Sequence, residues 1–89
     1  MATTPNELAV HLERVTSGKK IHPLVEKGIL DIIAQLRDGV DAAGKPVDYG
    51  AVRQTALDLA GKAKTYGEGT IARELKTAAK IIQVFQFTL

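Results

Sequence analysis

Thr70-Ile71-Ala72-Arg73-Glu74-Leu75-Lys76-Thr77-Ala78-Ala79-Lys80-Ile81-Ile82-Gln83-Val84-Phe85 decides the fold class. Ile71, Leu75, Ala78, Ile82 and Phe85 recur at alternating steps of four and three, with no polar interruption. That spacing places them on one side of an α-helix and fits no strand period. Ala72 and Ala79 lie beside the stripe, while Arg73, Glu74, Lys76 and Lys80 take the outer face. Thr70 is a good N-cap, which sets a helix over 70–86. The alternation of Val84, Gln86 and Thr88 with Phe85, Phe87 and Leu89 leaves the last residues open between helix and a short strand-like tail.

Three more helices precede it. Thr4-Pro5-Asn6-Glu7 reads as a capping box with proline at the first helical position. A helix over 5–17 follows, with Leu8, Leu12 and Val15 on one stripe and Gly18 as its stop. The second spans 23–38, from Pro23 to the terminating Gly39. Val25, Ile29, Ile32 and Leu36 form its inner stripe, widened by Leu24, Leu30 and Ile33. Gly28 in its middle costs about 1 kcal/mol against alanine; it either permits a close helix approach or is simply tolerated. The third runs over 49–65 behind Asp48 as its cap, with an alanine-rich stripe of Val52, Ala56, Leu59 and Ala63. Gly50 weakens its first turn without an evident reason in the sequence. Residues 39–47 form the one long loop.

Short connections favour antiparallel neighbours. The expected architecture is an all-α, small antiparallel four-helix bundle, with a three-helix core crossed by the N-terminal helix as the runner-up. The 89 residues make a single helical domain, 1–89, with a thin core. No cysteine is present, so neither disulfides nor thiolate metal sites contribute, and a cytoplasmic location is expected. Neither a signal peptide nor a membrane span is expected.

The chemistry-bearing motifs are weak. The two histidines, His11 and His22, lack ligand spacing. His11 pairs most simply with Glu7 one turn earlier, and His22 reads as a helix-entry residue. Asp38, Asp41 and Asp48 surround the long loop without the ligand alternation of a calcium loop. Gly67-Glu68-Gly69-Thr70 precedes a helix, but Glu68 places a negative charge where a phosphate would sit. The one serine, Ser17, has no catalytic partners. No cofactor, no metal and no enzymatic activity are expected.

Two functional expectations remain. After Lys80 the chain carries no charged side chain, and its last nine residues hold both phenylalanines. Such a surface must be covered by the fold, by a second copy or by another protein. The first expectation is a small protein acting by protein–protein interaction, as an adaptor, inhibitor or immunity-type binding protein. Its anchors would be Val84, Phe85, Phe87 and Leu89, and a homodimer through the fourth helix is the intermediate case. The second expectation comes from charge. Residues 1–44 hold five Lys/Arg and six Asp/Glu, whereas 45–89 hold seven and four. A nucleic-acid-binding regulator would use Lys62, Lys64, Arg73, Lys76 and Lys80 on the third and fourth helices. The glycine-rich stretch from Gly61 to Thr70 reads as too long for a helix-turn-helix, and few residues suit base edges.

Overall fold

A computed structural model describes residues 3–88, with side chains to Phe87. Its helices are α1 (Pro5–Thr16), α2 (Pro23–Asp38), α3 (Tyr49–Thr65) and α4 (Gly69–Thr88). Contacts run in a ring, α1 to α2, α2 to α3, α3 to α4 and α4 back to α1, and none crosses a diagonal among the described residues. The fold is an all-α four-helix bundle. The α3–α4 pair makes the most extensive contact.

Each helix begins on the signal its sequence carries. Thr4 Oγ1 accepts the Glu7 N–H at 3.1 Å, and the Glu7 carboxylate accepts the Thr4 N–H at 3.3 Å. This reciprocal box satisfies two backbone donors at the start of α1. Ser17 caps α1 at its end and lies just outside the helix. His22 caps α2, its Nδ1 accepting the Leu24 N–H at 3.2 Å. Asp48 Oδ1 accepts from the Gly50 and Ala51 N–H groups at the start of α3. Helix α4 starts one residue earlier than its threonine suggests. The Glu68 carbonyl accepts the Ala72 N–H at 3.0 Å, so the helix opens at Gly69 and Thr70 lies inside it.

The core draws on all four helices. Leu8, Ala9 and Leu12 of α1 are buried with Val25, Ile29, Ile32, Ile33 and Leu36 of α2. The runner-up architecture, with α1 lying across a three-helix core, gives way to this shared core. Leu24 and Leu30 depart from expectation. They are 58% and 56% exposed, so the apolar side of α2 is narrower than its sequence implies. Helices α3 and α4 each bury three alanines, Ala56, Ala60 and Ala63 on one and Ala72, Ala78 and Ala79 on the other, and small side chains let packed helix axes approach closely.

Residues 39–47 are closed rather than open. Val40 and Pro46 form an antiparallel bridge, and Asp41 exchanges backbone bonds with Lys45 and Gly44. The Asp41 carboxylate also accepts the Ala43 and Lys45 N–H groups.

Gly28 sets the approach of α2 to α3. A Cβ placed there would lie 2.5 Å from Leu59 Cδ2 and 3.0 Å from its Cγ. Leu59 is itself buried, so it has little room to yield. Overpacking of this kind costs about 1–3 kcal/mol, against about 1 kcal/mol of helix propensity gained by alanine. Gly28→Ala should therefore lower stability in urea titration. In a Leu59→Ala background the same change should raise stability. Additive effects of the two changes would show that the glycine is merely tolerated.

Candidate functional site

The C-terminal segment is helical to Thr88 and has two different sides. Phe85 points inward. Its ring packs edge-to-face on Tyr49 with centroids 5.7 Å apart and planes at 66°. It is 2% exposed. Gln86 lies over the start of α3, where a Cβ on Gly50 would stand 3.1 Å from its Nε2. The glycine that looked unexplained makes room for this side chain. Phe87, two residues beyond Phe85 and so across the helix from it, is 77% exposed, and Val84 is 53% exposed.

The expected anchor set is corrected by this geometry. Phe85 belongs to the core and offers no surface. Val84 and Phe87 remain on the outside, and Leu89 lies outside the described residues. As far as Thr88 the strand-like alternative for the tail is overturned as well. Helical geometry lets Phe85 reach Tyr49, and among the described residues no neighbouring strand offers pairing for an extended end.

The outer face of α4 continues from Phe87 toward its N-terminus. Arg73, Lys76 and Lys80 are exposed, and the helical period puts them on the same side as Val84 and Phe87. Lys64 joins them from α3. With Gly69 and Ala72, the side chains of Lys64, Arg73 and Lys76 line a shallow hollow of about 280 Å³. Lys62 does not line it. Its position two residues from Lys64 puts it on the other flank of α3. Glu74 is turned to the opposite flank of α4, where its carboxylate lies 3.2 Å from His11 Nε2 on α1. His11 therefore bonds across the bundle rather than to Glu7. The outer face of α4 is thus basic along most of its length and apolar at its end.

The α3–α4 connection is three residues, Tyr66 to Glu68, shorter than the glycine pattern implies. It does not make a helix-turn-helix. Tyr49 and Gly50 at the start of α3 meet Phe85 and Gln86 near the end of α4. The two helices therefore run antiparallel along their length, and neither projects as a recognition helix.

Two further clusters were not evident in the sequence. His22 stacks on Tyr66, ring centroids 3.8 Å apart and nearly parallel. The His22 N–H donates to Glu68 Oε2 at 3.0 Å, while Glu68 Oε1 is buried with no hydrogen-bond partner. Glu68 thus ties the start of α2 to the start of α4 instead of repelling an anion. The second cluster is acidic. Asp31 and Asp38 of α2 meet Asp41 of the 39–47 loop around a hollow of about 250 Å³, whose walls include Ala34, Val40 and Ala42. The seven-residue spacing of Asp31 and Asp38 was a readable signal; the return of Asp41 onto α2 was not. Among the described residues no group of three or more His, Cys, Asp or Glu is placed to hold a metal ion. None of their helices is long and apolar enough to cross a membrane.

No known protein family, no curated protein and no solved structure matches this chain.

The split between the two phenylalanines is measurable. Phe85→Ala should cost about 3–5 kcal/mol, as expected for emptying a packed aromatic site. Phe87→Ala should change stability by no more than about 0.5 kcal/mol. Comparable losses in thermal or urea unfolding would place Phe87 in the core too.

Proposed function

We propose that this protein acts by binding another protein through the outer face of α4, anchored at Phe87 with Val84 beside it. The observation that supports this reading is the exposure of Phe87. It is the most exposed large apolar side chain among the described residues, and it lies in the last turn of α4. Desolvating a phenyl ring contributes about 1.5–3 kcal/mol. Aromatic anchors of this kind dominate interface energies when a pocket encloses them. The basic residues along the same face would steer an acidic partner and fix its orientation.

A second reading rests on the Lys64, Arg73 and Lys76 hollow, which gathers three cations from two helices. Such a cluster suits phosphate contacts by a nucleic acid. It has no recognition helix behind it, so it would bind without reading sequence.

Photocrosslinking separates the two readings. A benzoylphenyl side chain placed at position 87 in the full chain should give a discrete protein adduct in cells that produce it. Phe87→Ser should abolish the corresponding complex and leave the melting temperature unchanged. Adducts with nucleic acid, lost when Lys64, Arg73 and Lys76 become glutamate, would favour the second reading.

A further inference from the structure

We propose that the partner of the α4 face is a second copy of this chain, which presents the acidic hollow of α2. The inference rests on the protein-binding reading above and names its partner. Arg73, Lys80 and Phe87 follow one another at seven-residue steps along α4, and all three are exposed. Asp31 and Asp38 stand at the same step along α2, and the chain then turns into the Val40 and Ala42 walls of the hollow. Seven residues of helix advance about 10.5 Å, so the two charge spacings match. Laid parallel, α4 of one copy places Arg73 against Asp31 of the next, Lys80 against Asp38, and Phe87 at the hollow beside Val40.

Two opposite-charge pairs stand against a like-charge approach at the N-terminal end of α2. In that register Lys27, on the same face of α2, falls opposite Gly69, beside Lys64 at the edge of the basic hollow, a like-charge approach that the two aspartate pairs must outweigh. Arg37 is held by its ion pair with Glu13, and Glu74 is turned away beside His11. A face of three cations does not pair with its own copy, so a symmetric α4–α4 dimer carries a repulsion without the offsetting pairs of the α4–α2 arrangement.

The geometry has a consequence for assembly. Among the described residues helices α2 and α4 make no contact with each other, and they occupy diagonal corners of the ring. Using both faces joins copies head to tail, and such contacts extend into chains or close as rings rather than stop at a dimer. Exposed ion pairs with one aromatic anchor give a salt-sensitive, concentration-dependent association.

Sedimentation velocity of the full chain, from micromolar to millimolar protein at low salt, tests this. Species larger than a dimer should grow with concentration and recede as salt rises. Asp31→Lys with Asp38→Lys should be monomeric, as should Arg73→Glu with Lys80→Glu. All four positions are exposed, so both variants should keep the wild-type circular dichroism. Mixed in equal amounts, the two variants should associate again, because each supplies the complement that the other lacks. A wild-type chain that stays monomeric throughout would overturn the proposal. So would association that survives Asp31→Lys with Asp38→Lys, which would place the contact elsewhere. If the chain is monomeric while position 87 still crosslinks to a foreign protein, the second copy is excluded and the interaction face stands. If position 87 crosslinks to nothing, both readings fall.

Discussion

The edge-to-face contact between Phe85 and Tyr49 holds the far end of the α3–α4 hairpin closed, and the two-sidedness of the molecule depends on it. The near end is closed by the short connection from Tyr66 to Glu68. Between them buried alanines on both helices let the axes approach without supplying much apolar area. Aromatic contacts add about 0.5–1.5 kcal/mol beyond burial, a large increment for a domain with a thin core. Because Phe85 points inward, the helical period turns Phe87 outward. The same contact that completes the core thus creates the exposed anchor.

The α1–α2 hairpin completes the bundle with different devices. Gly28 lets α2 settle on Leu59, and Glu68 accepts the His22 N–H so that the starts of α2 and α4 are tied. An ion pair, Glu13 with Arg37, and a side-chain contact between His11 and Glu74 lie between α1 and its two neighbours. What these contacts leave over is unevenly distributed. Cations collect on the outer face of α4, and aspartates collect where α2 meets the 39–47 loop. With a net charge of only +2, the molecule is close to neutral overall and polar in its surface pattern. Local patches, not total charge, therefore govern its association.

Local signals were legible in the sequence. The Thr4–Glu7 box, the Asp48 cap and the Gly39 stop are each determined within a few residues, and the structure uses them as read. The periodic stripes of α3 and α4 likewise predicted their buried residues. Misreadings arose where position depended on a distant partner. Leu24 and Leu30 look like core by composition, but the helical period carries them off the Val25–Leu36 stripe and they stay exposed. His11 finds Glu74 across the bundle, a contact 63 residues apart that no local spacing reveals. The last residues were ambiguous because alternation and helical period overlap over so short a stretch; only Tyr49, contributed by α3, decides which phenylalanine is inside. The acidic hollow depends on the fold-back of a loop whose closing bonds are mostly backbone, and those carry little sequence signature.

Proton nuclear Overhauser spectroscopy of the aromatic side chains tests this account most directly. The ring of Phe85 should show strong contacts to the Tyr49 ring. Within one copy the Phe87 ring should show contacts only to its own turn. Core contacts from Phe87, or a Phe85 ring without any to Tyr49, would contradict the account, because the exposed anchor and the closed end of the hairpin would then both be misplaced.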